Sequence, residues 1–426
     1  MISRHTPDPR KRPKGLASGP DELDRLRSRR VFIETYGCRY NFGDTAKLVE
    51  ILRDQGCTIA CCPEDADAVI VNTCTVVGST ERRMLRRLSA LRDHELWVAG
   101  CMPAVQRDAI FTVCTPSIIS PEAIYERYRQ IGTMAPGSIG IVQLSQGCTG
   151  TCTYCLTRFA RGPIRSFSAE EICGQVRASV QAGAAEIQLT AQDVSAWGSD
   201  TNNSLPALLA AIDAVPGRHR VRVGMMNPAT VLPVLDELVD AFAGDHIFRF
   251  IHLPVQSGSD AVLGWMGRRY TVAEFEEIVA AFRKRFTEIT IATDMIVGFP
   301  GETEEDFSAS LALLRRVQPG KVNVTRYSRR PFTPIASEKD FPDSVKKDRS
   351  RHMEDCAGEI YAKVNAKYLG TEVPFLVTET VREGSVMARS PGYLGIVINE
   401  DLPVGSEGRV ILKKDRKYFF IGKRVA

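Results

Sequence analysis

Three cysteines stand close together in the segment Cys148-Thr-Gly-Thr-Cys152-Thr-Tyr154-Cys155, a Cys-x3-Cys-x2-Cys spacing that follows an apolar run at residues 139–144. Iron–sulfur cubanes usually take four cysteine ligands, so a loop that supplies three thiolates leaves one iron open for a small molecule. A tetrahedral zinc ion bound by three thiolates and a water is the alternative that this spacing also allows. The segment therefore predicts a metal site, and the rest of the chain favours an iron–sulfur cluster.

The twelve cysteines of this 426-residue chain indicate reduced thiols and metal sites. The N-terminus is polar and lacks the apolar centre of a signal peptide, and disulfides are rare in chains that are not exported. The sequence contains no run of about 18 apolar residues, so we expect no membrane-spanning helix. We therefore expect a cytoplasmic protein without membrane contact rather than a disulfide scaffold.

Three further cysteines occupy equivalent places in a pattern of alternating strands and helices. The β-prone runs are residues 31–36, 68–72 and 96–99, and helical patterns lie at 44–54 and 79–92. Such alternation predicts a parallel sheet. Cys38, Cys74 and Cys101 each lie just past the carboxyl end of a predicted strand, the edge at which open α/β sheets bind ligands. We expect these thiols to converge on a second cluster, although among twelve cysteines some will follow strands by chance.

These motifs resemble those of two known families. The Cys148–Cys152–Cys155 spacing is similar to the radical S-adenosylmethionine (SAM) superfamily. The segments Glu34-Thr-Tyr-Gly-Cys38-Arg-Tyr-Asn41, Asn72-Thr-Cys74 and Ala99-Gly-Cys101-Met-Pro103 resemble the three blocks of the methylthiotransferase N-terminal domain. From about residue 30 onward the chain resembles this family throughout, apart from Arg39-Tyr40, where many members carry Gln-Met or similar residues.

The resemblance implies two [4Fe-4S] clusters and SAM as cofactors. Cys148, Cys152 and Cys155 would be the catalytic set, whose cluster chelates SAM at its open iron, with the aromatic Tyr154 beside it. Cys38, Cys74 and Cys101 would ligate an auxiliary cluster that presents the sulfur. One SAM would methylate that sulfur. Another would be cleaved to a 5′-deoxyadenosyl radical that activates the target carbon.

The middle region, residues 134–335, reads as a repeating βα array and predicts a partial (β/α)6 barrel. Its predicted strands are 140–144, 186–190, 221–224, 248–253, 289–296 and 321–325, and its predicted helices are 169–182, 205–215, 231–243, 272–286 and 304–317. Ser168-Ala-Glu-Glu171 is a capping box that begins the first of these helices. In such barrels the chemistry takes place at the carboxyl ends of the strands.

Several polar and glycine residues of this region match family blocks that contact SAM. The resemblance implies that Glu186 meets the SAM amino group, and that Gln192, Gln256 and Gly298 line the cofactor site. A strand-end carboxylate that faces solvent is the alternative for Glu186, whereas His252 is expected to be an interior, hydrogen-bonded histidine. Four arginines near the same edge could pair with RNA phosphates, although solvated surface positions are the commoner fate of arginine. They are Arg161, Arg165, Arg329 and Arg330.

From residue 370 the pattern changes to short β runs separated by Gly, Pro and charged residues. Five such runs predict a small β-barrel, which resembles the RNA-binding TRAM domain. The basic segment Lys413-Lys-Asp-Arg-Lys417 is followed by Tyr418-Phe-Phe420, and basic and aromatic side chains together suit phosphates and stacked bases. An ordinary β-barrel with a basic turn is the alternative.

The chain is therefore α/β, and we divide it into four parts. Residues 1–29 are predicted to be a disordered basic tail, 30–133 an α/β domain with the auxiliary cluster, 134–369 the radical SAM partial barrel with a linking helix, and 370–426 the TRAM-like barrel. The first 30 residues hold nine Lys and Arg against four Asp and Glu, whereas the whole chain has a net charge of +4. Any nucleic-acid contact of residues 31–426 must therefore come from local patches.

The resemblance implies a tRNA methylthiotransferase that converts N6-threonylcarbamoyladenosine, just 3′ of the anticodon, to its 2-methylthio derivative. Its partners would be the tRNA anticodon stem-loop, an electron donor such as a flavodoxin or ferredoxin, and a sulfur source. A sibling enzyme acting on isopentenyladenosine in tRNA or on a ribosomal-protein aspartate remains open. So does a non-catalytic, metal-bound RNA-binding protein.

Overall fold

A computed structural model describes residues 20–131 and 138–425. The predicted boundary at residues 133/134 and residues 1–19 of the predicted tail lie outside the described residues. The described chain forms two compact units. We call the first the cysteine unit, which contains residues 20–131, Gln146–Pro163 and Ser328–Ser337. The second is the barrel unit, which contains residues 138–145, Ile164–Tyr327 and 338–425.

The cysteine unit contains a parallel sheet with helices on both faces. Its strands are β1 (Arg30–Thr35), β2 (Thr58–Ile59), β3 (Ala68–Thr73), β4 (Leu96–Gly100) and β5 (Ser117–Ile118), and they pair in the order β2-β1-β3-β4-β5. Its helices are α1 (Arg39–Asp54), α2 (Gly78–Ala90), α3 (Met102–Val105), α4 (Arg107–Phe111), α5 (Pro121–Ile131) and α6 (Thr157–Arg161). The parallel sheet predicted from strand–helix alternation is confirmed.

The central strand β3 is buried along its whole length because both faces of the sheet are covered. Ala68 and Ile70 pack with Leu48 of α1 in one apolar cluster. Val69 and Val71 pack with other residues, including Met84 of α2, in a second cluster on the opposite face. This two-sided burial explains the uninterrupted apolar run of β3 and fixes its carboxyl end at one edge of the sheet.

The prediction of disorder through residue 29 is wrong from residue 20 onward. Pro20–Leu26 forms a 3₁₀ helix. Leu23 and Leu26 are buried in the same cluster as Leu48. The sequence suggested a tail because charge and proline dominate residues 1–14, whereas the two leucines that anchor the segment lie within its last seven residues.

The barrel unit contains parallel strands in the predicted order. Its strands are β6 (Ile139–Gln143), β9 (Glu186–Thr190), β10 (Arg220–Arg222), β11 (Phe250–His252), β12 (Thr290–Val297) and β13 (Lys321–Arg326), with the short strand β8 (Arg165–Ser166) between the first two. The short strand β7 (Ser145–Gln146) has one residue in each unit. The sheets β6-β9-β10 and β11-β12-β13 are joined by the parallel bridges Val221↔Ile247 and Met225↔His252. The partial (β/α)6 barrel is thereby confirmed.

Helices alternate with these strands, and capping boxes begin three of them. The helices are α7 (Ala169–Gln181), α8 (Leu205–Asp213), α9 (Pro228–Val231), α10 (Leu235–Ala241), α11 (Asp260–Trp265), α12 (Val272–Arg285), α13 (Glu304–Val317) and the linking helix α14 (Asp343–Ala366). The predicted Ser168–Glu171 capping box is present at α7. The single helix predicted at 231–243 is instead broken, because Pro233 lies in a 3₁₀ turn between α9 and α10.

The C-terminal residues of the barrel unit form the predicted closed β-barrel. Its strands are β14 (Glu372–Arg382), β15 (Ser385–Arg389), β16 (Gly395–Ile398), β17 (Glu407–Asp415) and β18 (Phe420–Arg424), closed in the order β14-β15-β16-β18-β17. Alternating side chains such as Val373, Phe375 and Val377 fill its interior. Within residues 20–131 and 138–425, no helix combines the length and apolar character needed to cross a membrane.

Candidate functional site

The parallel register brings the cysteines that follow β1, β3 and β4 to one edge of the sheet. Thr35 pairs with Asn72, and Thr73 pairs with Gly100, so the three strands end side by side. Cys38, Cys74 and Cys101 follow directly. Burial raises the pKa of the Cys74 thiol to about 11, and the neighbouring Cys101 and Cys38 thiols contribute to this rise. The three cysteines therefore follow strand ends at one edge of the sheet, as predicted, and their convergence on a second cluster stays a prediction.

Gly37 allows the Cys38 loop to approach Cys74 closely. Its φ of +108° lies in the region that favours glycine. A Cβ atom at this position would lie 2.7 Å from the Cβ atom of Cys74 and 3.0 Å from its Sγ atom. Any other residue would therefore push the two cysteine-bearing loops apart.

Asn41 on α1 ties the same loops together through hydrogen bonds. Its side-chain Nδ2 donates to the carbonyl oxygen of Tyr36 at 2.8 Å and to that of Thr73 at 2.9 Å. Asn72 in turn donates from Nδ2 to the carbonyl oxygen of Asn41 at 2.7 Å. The residues before Cys38 and Cys74 are thus held by one buried amide.

Arg161 completes this arrangement from α6, the helix that follows the Cys148–Cys155 loop. Its side chain is only 1% exposed. Nε donates to Cys101 Sγ at 3.4 Å, and Nη2 donates to Asn41 Oδ1 at 2.9 Å and to Asp44 Oδ2 at 2.8 Å. Burial lowers the pKa of Arg161, but the charges of Asp44 and Cys101 outweigh it and raise the pKa well above its ordinary value. Both possibilities that the sequence left open for Arg161, an RNA contact and a solvated surface position, are therefore wrong.

Arg330 supports the loop after Cys74 in a similar way. Its Nη2 donates to Thr75 Oγ1 at 2.8 Å and to Gln106 Oε1 at 3.1 Å, and it also pairs with Glu81. Because Arg330 is 3% exposed, it is neither a solvated surface arginine nor available to RNA, so both possibilities left open for it are also wrong. Sequence reasoning placed both arginines at the surface, since arginine is rarely buried unless it is paired.

The loop of Cys148, Cys152 and Cys155 belongs to the cysteine unit as well. The backbone N–H of Gly150 donates to Cys148 Sγ at 3.2 Å. A Cβ atom at Gly150 would lie 3.2 Å from Cys148 Sγ and 3.7 Å from Cys152 Sγ. A side chain at position 150 would fill the space beside these two sulfurs. With glycine there, the loop is compatible with an inorganic group ligated by the thiolates.

The donor type of both sets suits an iron–sulfur cubane, in which three thiolates each ligate a different iron. In the part of the chain that the structure describes, no three His, Cys, Asp or Glu side chains are grouped so that they could hold one metal ion. The ligand role of both three-cysteine sets therefore stays a prediction.

The other residues expected at the SAM site lie in the barrel unit, and three of them follow the carboxyl ends of strands. Gln192 follows β9. Gln256 is 8% exposed and has a φ of +73°, a strained value for a residue other than glycine. Gly298 follows β12, and the space that a Cβ atom would need there is filled by Lys346 of α14. Their contact with SAM stays a prediction.

The role expected of Glu186 is wrong. Glu186 is the first residue of β9 and pairs with Ile139, the first residue of β6, so it lies at the amino edge of the sheet. Its side chain is fully buried and accepts a hydrogen bond from Tyr393 Oη at 2.6 Å, whereas Arg389 Nε lies 3.9 Å away. The carboxylate neither faces solvent nor lies at the edge where Gln192 follows its strand.

Two networks of hydrogen-bonded polar side chains lie in the barrel unit. His252 Nε2 lies 2.8 Å from Asp294 Oδ1, which confirms the expected hydrogen-bonded histidine. Asp193 accepts hydrogen bonds from Ser195 Oγ at 2.8 Å and from Thr230 Oγ1 at 2.9 Å. Burial raises the pKa of Asp193 above its ordinary value even though these bonds lower it. Sequence reasoning assigned this aspartate no role beyond its place in a family block.

Comparison with known proteins matches two regions of the chain. Residues 142–314 match the radical SAM superfamily, and residues 30–118 match the uncharacterized protein family UPF0004. The chain is similar in fold to the radical S-adenosylmethionine methyltransferase TsrM from Kitasatospora setae, with a TM-score of 0.51, 16% identity, and coverage of 72% of this chain and 77% of that one.

Curated relatives cover nearly the full length. A probable threonylcarbamoyladenosine tRNA methylthiotransferase of Pyrococcus horikoshii is 39% identical over 406 residues, which are 89% of this chain and 95% of the relative. The tRNA-2-methylthio-N(6)-dimethylallyladenosine synthase of Chloroflexus aurantiacus is 34% identical over 412 residues, 88% of this chain and 86% of the relative. With two three-cysteine sets at the described positions, the chain belongs to the radical SAM methylthiotransferase family.

Proposed function

We propose that this protein is a tRNA methylthiotransferase that acts on N6-threonylcarbamoyladenosine. The observation that carries the proposal is the presence of both three-thiol sets in one compact unit, where Arg161 joins the helix after one set to Cys101 of the other. The relative with 39% identity over most of the chain carries that substrate in its name. The dimethylallyladenosine-directed relative is less similar, at 34%.

The protein uses SAM and a [4Fe-4S] cluster held by Cys148, Cys152 and Cys155. When bound, these groups supply the radical chemistry that activates an inert carbon. The chain's own part is to hold the three thiolates, and the Gly150 N–H directed at Cys148 stabilises negative charge on that sulfur. We extend this to a second [4Fe-4S] cluster on Cys38, Cys74 and Cys101, supported by the convergence of their thiols.

The C-terminal β-barrel is proposed to bind the RNA. Tyr418 is 67% exposed, and the ammonium group of Lys417 lies 5.3 Å from the centre of its ring. An exposed aromatic ring beside a cation suits a stacked base and its phosphate. An electron donor such as a flavodoxin or ferredoxin and a source of sulfur complete the proposed partners.

The test is mass spectrometry of nucleosides from tRNA of cells that lack their own enzyme and express this chain. We expect 2-methylthio-N6-threonylcarbamoyladenosine to appear. Methylthiolated isopentenyladenosine instead would assign the sibling activity, and absence of both products would contradict the proposal. An expression control must show folded, iron-loaded protein.

Two cysteine variants separate the roles of the two sets. Cys152→Ala should abolish formation of 5′-deoxyadenosine, whereas Cys74→Ala should retain SAM cleavage under reducing conditions yet form no methylthio product. Cys61→Ala, at an exposed cysteine of the same unit, is the matched control and should retain both. Because loss of a metal site can unfold a domain, circular dichroism must first show that each variant is folded. A methylthiolated product from folded Cys74→Ala would refute the sulfur-presenting role of that set.

A further inference from the structure

We propose that an exposed basic surface beside the auxiliary cysteines binds the phosphate backbone of the tRNA anticodon stem-loop. We call it the auxiliary rim, and it consists of Arg39, Phe42, Arg82, Arg83 and Arg86. The inference rests on the proposed function, because tRNA is the substrate there. It adds a second RNA-binding surface, on the cysteine unit, to the one proposed on the C-terminal β-barrel.

The charge of helix α2 is not neutralised by its surroundings. Its sequence, Gly-Ser-Thr-Glu-Arg-Arg-Met-Leu-Arg-Arg-Leu-Ser-Ala, holds four arginines and one glutamate. That glutamate, Glu81, is paired with the buried Arg330, and Arg87 is paired with Glu34 at 2.8 Å. Arg82, Arg83 and Arg86 are exposed, and no ion pair to any of them occurs among the residues that the structure describes.

The positions of these three arginines concentrate positive charge on one side of α2. Positions 82, 83 and 86 lie on neighbouring turns, so their guanidinium groups share one side of α2. The remainder of the chain after residue 30 is close to neutral. Concentrated positive charge on one face therefore produces a local field that attracts a polyanion.

Two aromatic side chains, the exposed Phe42 and the half-buried Tyr36, extend the surface to the first cysteine. Phe42 is 41% exposed, with the Arg39 guanidinium 6.0 Å from the centre of its ring. The Arg83 guanidinium lies 5.2 Å from the ring of Tyr36, two residues before Cys38. This contact joins α2 to the loop that carries Cys38. Aromatic rings and guanidinium planes are the groups on which unpaired RNA bases stack, which favours RNA over an acidic protein as the partner.

The rim also lies where the auxiliary site opens to solvent. Cys38 is exposed, whereas Cys74 and Cys101 are buried. A ligand can therefore approach these cysteines from the side of Cys38, between Arg39 and the Tyr36–Arg83 contact. RNA held on the rim would lie against the thiols proposed to present sulfur.

The test is a titration of tRNA bearing N6-threonylcarbamoyladenosine with the anaerobically reconstituted full chain at several KCl concentrations. The rim variant is Arg82→Gln/Arg83→Gln/Arg86→Gln. The matched control is Arg283→Gln/Lys284→Gln/Arg285→Gln, which removes the same charge from three exposed positions at the end of α12. The logarithm of the binding constant falls as the logarithm of the KCl concentration rises. If the rim arginines contact three phosphates, this fall should be less steep by about 2 to 3 in the rim variant and should be unchanged in the control.

A second variant separates stacking from charge. Phe42→Ala should weaken tRNA binding without changing the salt slope, because a stacked ring displaces no counterions. Circular dichroism and iron content must match wild type in every variant.

Three outcomes decide the matter. If wild type binds and methylthiolates tRNA but the rim variant binds it with unchanged affinity and slope, the rim inference is overturned and the proposed function stands. If the rim variant binds tRNA normally and loses only reduction by an acidic flavodoxin, the surface belongs to a protein partner and the inference is again overturned. If wild type forms no methylthiolated nucleoside, the proposed function itself fails.

Discussion

Replacing Arg161 with methionine should strongly destabilise the cysteine unit. The Arg161 Nη2–Asp44 Oδ2 distance is 2.8 Å, and the two side chains are 1% and 7% exposed. Removing one partner of a buried pair leaves the other charge uncompensated and costs about 3–5 kcal/mol. Methionine keeps most of the apolar part of the side chain. The expected loss of stability therefore arises mainly from the unpaired Asp44 carboxylate and from the lost hydrogen bond to Asn41.

Hydrogen exchange measured by mass spectrometry reports this loss locally, on peptides of α1 and α6, so the chain need not unfold in one step. The matched control is Arg30→Met, because Arg30 forms an exposed ion pair with Asp67 of the same unit, in which the two side chains are 61% and 39% exposed. That variant should cost less than about 1 kcal/mol.

A double-mutant cycle with Asp44→Asn isolates the pair. The double variant should be more stable than the sum of the two single losses predicts, since it leaves no unpaired charge. An Arg161→Met cost as small as that of the exposed control, or a coupling energy near zero, would refute the reasoning.

Three other predictions concern stability and cofactor content. Burial and the stacked His246 hold the pKa of His219 at about 4, below the ordinary 6.5. The unfolded chain therefore binds this proton first, and about 3 kcal/mol of stability should be lost as pH falls from about 6.5 to 4. Urea unfolding followed by hydrogen exchange should show this loss in wild type and not in His219→Phe. Tyr393→Phe removes a donor to the fully buried Glu186 and should cost about 1.5–3 kcal/mol, seen as faster exchange in β9 and β15; unchanged exchange would contradict that role. The reconstituted protein should bind about eight irons as two cubanes by iron analysis and Mössbauer spectroscopy, and about four irons at full loading, or zinc on Cys74, would contradict the second cluster.

The features that could be predicted from sequence are those set by local patterns. Alternating strand and helix signals gave the parallel sheet, and the position of Cys38, Cys74 and Cys101 after strands followed from it. The capping box at Ser168 needs only residues three apart. In each case the physical cause lies within a few residues of its effect.

The features that sequence could not supply depend on distant partners. Glu186 is buried because Tyr393, 207 residues later, donates to it. Arg161 is buried because Asp44, 117 residues earlier, compensates its charge. No local pattern distinguishes a paired arginine from a solvated one. Helix α2 can be recognised from sequence as a charged helix, whereas the ion pair between its Glu81 and the distant Arg330 cannot.

The discontinuity of the cysteine unit constrains how the protein is made. Its last segment, Ser328–Ser337, supplies the buried Arg330 that bonds to Thr75 and Gln106. On the ribosome, domains generally fold as their residues emerge, N-terminal first. Here the loop after Cys74 remains without its arginine until most of the chain has been synthesised. We therefore expect stable binding of a cluster at Cys38, Cys74 and Cys101 to be largely post-translational. A nascent chain stalled before residue 328 should not bind that cluster stably.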